Sequence, residues 1–167
     1  MMQQISAIVA MSENYVIGVD GVLPWHYSGD LRRFKEVTLN STIIMGRRTW
    51  QSIGCRKLPQ RRNMVISGQS QAGVETFDSL VVALSCCDGL IWLIGGAALY
   101  HSGLPLCQRI DVTFVPGIIE HPSAVYFPEL NTHDWQAGTR QPHPYEVDLS
   151  YCVYTRITQP THGRRLV

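Results

Sequence analysis

Five short apolar runs, each bounded by turn residues, limit what this chain can fold into more than any other feature. They are Gln4 to Met11 (QISAIVAM), Ser41 to Gly46 (STIIMG), Asn63 to Ile66 (NMVI), Leu90 to Ile94 (LIWLI) and Ile110 to Val115 (IDVTFV). Runs of this length predict buried strands. Helical patterns lie between them. Ser28 to Thr38 carries Leu31, Phe34 and Val37 or Thr38 on one face, and shorter helices are predicted over Arg47 to Ile53, Asp78 to Cys86 and Ala97 to Ser102. Ser28 and Asp78 are suited to N-cap their segments. Strands alternating with short helices predict an α/β domain with a mostly parallel central sheet. The tail reads differently: Trp135 to Arg140 and Leu149 to Ile157 predict two strands joined by the Pro-rich loop QPHPYEVD, an antiparallel pair at one sheet edge. The polar end THGRRLV is expected to fray.

A chain of 167 residues predicts one domain spanning 1–167. With 45% hydrophobic and 16% charged residues it can build a core. A net charge of +1 argues against nucleic acid as a partner, because phosphate binding leaves a basic footprint. Neither a membrane-length apolar run nor a basic leader is present, so a cytoplasmic protein without a membrane partner is expected. Cys55, Cys86, Cys87, Cys107 and Cys152 lack metal or CxxC spacing and are expected to be reduced and mostly buried. His26, His101, His121, His133, His143 and His162 form no HxxxH or HExxH pair, and no metal is expected.

Two segments suggest a phosphorylated cofactor. In IWLIGGAALY, residues 91–100, an apolar strand meets Gly95-Gly96 and a helix begins at Ala97. Adjacent glycines allow a sharp turn and close approach to N–H groups, and a helix start adds unpaired donors. In IIMGRRTWQSIG, residues 43–54, a strand ends at Gly46 and Arg47-Arg48-Thr49 open the next helix. Two guanidiniums and a hydroxyl there suit a phosphate. The bland readings are a tight turn and solvated arginines. Two such sites together favour a dinucleotide with an additional phosphate, NADPH rather than NADH.

In GVLPWHYSGDLRRFKEVT, residues 21–38, the carboxylate of Asp30 falls among Leu23, Trp25, Tyr27, Leu31 and Phe34. It could simply favour the helix start electrostatically. The order and spacing of VIGxxxxLPW, D-L-x-x-F-K-x-x-T, IMGRxTWxSIG, LPxRxN, IGGxxxY and YFP, however, resemble the dihydrofolate reductase family from Ile5 to about Pro128. The resemblance implies a three-layer sandwich of the bacterial type and hydride transfer from NADPH to C6 of dihydrofolate, with protonation at N5. It implies that Asp30 accepts hydrogen bonds from the pterin N3 and 2-amino groups, that Thr113 bonds this acid, and that Trp25 holds a nearby water.

By the same resemblance Ile8, Leu31, Phe34, Ile53, Leu58 and Ile94 would wall the substrate, with Lys35 close to Asp30 on the helix. Arg61 would grip the substrate carboxylate, while Arg62 is expected to be solvated. Ala10, Ile17, Gly18 and Leu23 would meet the nicotinamide end of the cofactor. Gly46, Arg47, Arg48, Thr49, Ser67 and Gln69 would hold the adenosine end, and Gly95, Gly96, Ala97, Ala98, Leu99 and Tyr100 the pyrophosphate and ribose. Ser12 to Trp25 resembles the loop that closes over nicotinamide.

Four departures from the family pattern stand out. Ala124 replaces an acid that ties down the mobile loop. Ala97 and Ala98 replace a glycine and a frequent arginine, SIGCRKLP is one residue longer than usual, and HYSG precedes Asp30. These changes predict altered affinity for antifolate inhibitors such as trimethoprim. Alternatives are a reductase of another heterocycle, as in riboflavin synthesis, and a non-catalytic pterin- or nucleotide-binding protein, for instance one binding RNA through RKLPQRR. A monomer is expected.

Overall fold

A computed structural model describes residues 2–158. The tail THGRRLV and His162 lie outside the described residues. Strands β1 (Gln4–Ser12), β3 (Thr42–Gly46), β4 (Arg62–Ile66), β6 (Leu90–Leu93) and β7 (Arg109–Val115) form where the apolar runs predict them. Helices α1 (Ser28–Thr38), α2 (Arg47–Ser52), α3 (Leu80–Ser85) and α4 (Ala97–Gly103) fall between them. Four strands were not anticipated: β2 (Val16–Val19), β5 (Glu75–Phe77), β8 (Ala124–Tyr126) and β10 (Gln141–Pro142). With β9 (Trp135–Ala137) and β11 (Ser150–Arg156), the main sheet runs β10-β11-β7-β1-β6-β3-β4-β5, and β9 also pairs with β11. From β7 to β5 every pairing is parallel, whereas β11 is antiparallel to β7, β9 and β10.

Alternation along the strands divides the core between the two faces of the sheet. Ala7, Val9, Met11, Ile44, Met64, Ile91 and Leu93 pack with Leu80, Leu84, Leu99 and Leu104, which places α3 and α4 on one face. Ile8, Ile43, Met45, Val65 and Trp92 pack with Trp50, Phe34 and Val37, which places α1 and α2 on the other. The result is the three-layer α/β arrangement, and coverage on both faces explains why the parallel strands read as unbroken apolar runs.

Several local expectations need correction. Ser28 is the first residue of α1, not its cap. Tyr27 takes the cap position with an extended backbone and no side-chain cap bond. The acceptor comes from far along the chain: Gly29 N donates to Oε1 of Glu146 at 2.7 Å. Likewise Asp78 does not cap α3; Ser79 does, its hydroxyl accepting from Val82 N at 3.2 Å. Arg62 is not simply solvated, since it grips Glu75 through Nε and Nη2, both at 2.8 Å. The cysteines are all free, but only Cys107 and Cys152 are buried; Cys55 and Cys86 are exposed and Cys87 lies between.

The predicted apolar face of α1 meets the core through Phe34, Val37 and Thr38 but not through Leu31, and Arg33 joins it there. Leu31 is exposed, Phe34 and Val37 are half-buried, and the buried positions are Arg33 and Thr38. Arg33 turns inward because Asp111 on β7 receives it bidentately, Nη1 to Oδ1 at 2.8 Å and Nη2 to Oδ2 at 3.0 Å. The guanidinium also lies 4.0 Å from the centroid of the Tyr151 ring. Leu31, on the exposed side of the helix, borders the cavity beside Asp30, while Phe34 packs on the core.

Candidate active site

Parallel strands place their carboxyl ends along one edge, where open α/β sheets bind ligands. Here that edge gathers Ala10, Gly46, Ile94 and the Gly95-Gly96 turn, stitched together by Gly46 N donating to Gly95 O at 2.7 Å and Ile94 N to Ile44 O at 2.9 Å.

α1 carries Asp30 in its first turn and leans it against β7, where Thr113 Oγ1 donates to Asp30 Oδ1 at 2.8 Å. Two clamps therefore join α1 to β7, Asp30 to Thr113 and Arg33 to Asp111. Asp111 and Thr113, two residues apart on β7, share a strand face, so both can meet the one side of α1 that carries Asp30 and Arg33. Ala10 is Thr113's partner across β1, which brings the end of β1 beside the carboxylate.

A cavity of about 50 Å³ adjoins Asp30, lined by Ala10, Leu23, Trp25, His26, Tyr27 and Leu31. The cavity is small and half-open, and it places the Asp30 carboxylate beside apolar side chains. A larger groove of about 840 Å³ lies elsewhere, lined by Gln4, Thr42, Arg62 and Leu90 at the amino ends of β1, β3, β4 and β6. That is the wrong end of a parallel sheet for ligand chemistry, and the carboxylate is not there. The candidate site is therefore at Asp30, whose small cavity includes Leu31 of the expected substrate wall but not Ile8, Phe34, Ile53, Leu58 or Ile94.

The expected substrate wall is largely one cluster: Ile8 is buried, and Phe34, Ile53, Leu58 and Ile94 pack half-buried around it. Leu31 borders the cavity, whereas Lys35 is exposed on α1. Arg61 is half-buried, with Nη1 donating to Thr38 Oγ1 at 3.1 Å and Nε to Pro59 O at 3.0 Å. Burial lowers its pKa from the ordinary guanidinium value.

On the cofactor side Arg47 and Arg48 are exposed in the first turn of α2, and neither makes an ion pair or side-chain hydrogen bond among the described residues. A Cβ built on Gly95 would lie 3.5 Å from Thr49 Oγ1 and 3.3 Å from the Tyr100 hydroxyl. Gly95 has φ of +122°, and its peptide bond to Gly96 is cis. Thr49 thus stands beside the glycine pair. Ala97 and Ala98 begin α4 with their side chains half-buried and exposed, but Leu99 and Tyr100 turn into the core. The Tyr100 hydroxyl donates to Ile8 O at 2.6 Å, and burial pushes its pKa far above the usual phenol value. Ser67 Oγ accepts from Gln69 N at 3.1 Å, and Gln69 is exposed.

Ile17 and Gly18 lie in β2, which pairs with β8 through Gly18–Val125 and Val19–Ala124. Ala124, where the family's acid is missing, therefore ties the loop through backbone pairing. Asn14 adds two bonds to Ile119, donating to its O at 2.8 Å and accepting from its N at 3.0 Å.

Sequence reading missed His143. Its side chain is fully buried, and its Nε2 lies 3.1 Å from Asp30 Oδ1. It sits between two prolines in a loop joining predicted strands, and nothing local marks it as a partner of residue 30.

A parallel sheet whose carboxyl edge presents a glycine turn and, among the described residues, unpaired guanidiniums, next to an apolar cleft with one carboxylate, is laid out as an α/β nucleotide-binding protein with a small-molecule site alongside. The dihydrofolate reductase family model matches residues 4–157. A type 3 dihydrofolate reductase of Salmonella typhimurium is 39% identical over 93% of this chain and 98% of that protein. The dihydrofolate reductase of Neisseria gonorrhoeae is 40% identical over 83% of this chain and 88% of its own length. Among solved structures, the Enterococcus faecalis dihydrofolate reductase complexed with NADP(H) and RAB-propyl superposes with a TM-score of 0.81 at 30% identity, covering 93% of this chain and 98% of that one. The chain belongs to the dihydrofolate reductase family.

Proposed function

We propose that this protein reduces 7,8-dihydrofolate to tetrahydrofolate at the expense of NADPH, supplying one-carbon metabolism. The observation that carries this is Asp30 held by Thr113 of β7 at an apolar cleft, with only β1 between β7 and the strand that leads into the Gly95-Gly96 turn.

The residues present fit NADPH. The glycine pair gives close backbone approach, with Thr49 alongside, and Arg47 and Arg48 are free to meet phosphate oxygens. Bound NADPH supplies the hydride delivered to C6 of the dihydropterin. Asp30 accepts hydrogen bonds from pterin N3 and the 2-amino group, charge-assisted bonds worth about 1.5–3 kcal/mol each. Ile8, Phe34, Ile53, Leu58 and Ile94 flank the rings and exclude water. Arg61 is placed to receive the substrate carboxylate, a planar two-pronged task. The N5 proton comes from solvent admitted past Trp25 and Asp30.

No helix among the described residues is long and apolar enough to cross a membrane. The protein so read acts on a small molecule and is open to antifolate inhibitors, with a cytoplasmic monomer as its expected form. The test is NADPH absorbance with dihydrofolate as the only acceptor. Oxidation dependent on dihydrofolate, and faster than with NADH, supports the reading. Absence of oxidation removes it.

A further inference from the structure

The imidazole of His143 is fully buried and fixed at both nitrogens. Nδ1 is the acceptor for two backbone N–H groups, Tyr145 N and Glu146 N, each at 3.1 Å. A nitrogen that receives two N–H donors cannot carry a hydrogen of its own. The ring proton therefore sits on Nε2, which donates to Asp30 Oδ1 at 3.1 Å. Thr113 addresses the same oxygen at 2.8 Å. Oδ2 takes no side-chain hydrogen bond among the described residues and is not sealed in, since no buried side-chain oxygen there lacks a partner. One carboxylate oxygen is thus tied to the protein from two directions, and the other is left to the cleft.

The loop that carries His143 is itself fastened to α1. Glu146 takes the Gly29 N–H at 2.7 Å, the Tyr145 hydroxyl bonds Glu36 at 2.8 Å, and the Arg32 guanidinium lies 4.0 Å from the centroid of the Tyr145 ring. His143, Tyr145 and Glu146 together form a strap across the first turns of the helix that holds Asp30.

We propose that His143 is a positioning residue for the pocket acid: its Nε2–H, presented in a single tautomer, fixes Asp30 Oδ1 so that Oδ2 is aimed at the donor edge of the substrate ring. The proposal rests on the functional reading above and adds a residue to it. His143 touches neither substrate nor cofactor; it acts through Asp30.

Two measurements test it. In wild-type protein labelled with 15N-histidine, with His143→Gln supplying the assignment, the His143 ring is expected to show a protonated Nε2 and a bare Nδ1. A protonated Nδ1 overturns the proposal whatever the activity. In steady-state kinetics, His143→Leu, which removes the donor, is expected to lower kcat/KM for dihydrofolate about 10- to 100-fold, mainly through KM. NADPH affinity should stay unchanged. His143→Gln returns an N–H to the Nε2 position and is expected to bring the loss below about fivefold. Equal losses in both variants, tracking a fall in melting temperature, would show a purely structural histidine and overturn the proposal, as would His143→Leu turning over like wild type. If wild type itself fails to oxidise NADPH with dihydrofolate, the functional reading fails separately, and the tautomer still reports on His143.

Discussion

Replacing Arg33 with Met removes one charge of a buried pair and keeps most of the apolar stem. Asp111 is fully buried and Arg33 is 7% exposed, so the carboxylate left behind cannot be rehydrated without opening the α1–β7 contact. Among the described residues its only other cation partner is Arg109, 3.4 Å away with a side chain 47% exposed. Stranding one partner of a buried pair costs about 3–5 kcal/mol. For a chain of this size each kcal/mol moves the melting temperature by about 2–4 °C, so Arg33→Met should melt roughly 6–20 °C lower. Arg33→Met combined with Asp111→Leu should recover most of that loss, because a buried pair exchanged for apolar side chains is often near neutral. Urea denaturation of wild type, the single and the double variant measures all three. The single variant should also raise KM for dihydrofolate, since the same pair moors the helix that carries Asp30. A double variant as unstable as the single one, or a single variant within about 1 kcal/mol of wild type, would refute the reasoning.

Gly29→Ala would place a methyl 2.6 Å from Glu146 Oε1 and so expel the carboxylate that caps α1. The loss of one cap is worth about 0.5–2 kcal/mol in denaturation, and Glu146→Ala should match it. Burial pushes the Cys107 thiol up to about 12 from its ordinary 9.0. The folded protein thus binds a proton that the unfolded chain releases, so stability should hold below about pH 9 and fall as pH rises toward 12, with Cys107→Ala reducing the slope. Tyr27 lines the cavity beside Asp30, and trimethoprim should bind with an affinity different from that of sensitive bacterial reductases; Tyr27→Leu should change it at least severalfold. Inhibition identical to those enzymes, before and after the substitution, would count against it.

Legibility in the sequence follows the range of the interactions. The parallel strands are buried on both faces and could be read from local composition alone, and β1, β3, β4, β6 and β7 lie within a residue or so of the apolar runs. β2, β5, β8 and β10 are two to four residues long and exist because a partner strand supplies their bonds, so no periodicity announces them. Asp30 and Thr113 were reachable only through the family resemblance, which paired them across the chain. Arg33 was not: a charged residue within a helix reads as solvated until a buried Asp111 lies opposite it. His143 and Glu146 were equally silent, since their partners are 113 and 117 positions away. The same distance hid the true cap of α1.

A single substitution bears hardest on the role given to the pocket acid. Asp30→Asn keeps the shape of the side chain and its reach to Thr113 but replaces a full negative charge with a neutral amide. At neutral pH, turnover of dihydrofolate should fall about 100-fold or more while NADPH binds as in wild type. Turnover undiminished in that variant would mean that a neutral acceptor serves as well, and Asp30 would have no place in the chemistry.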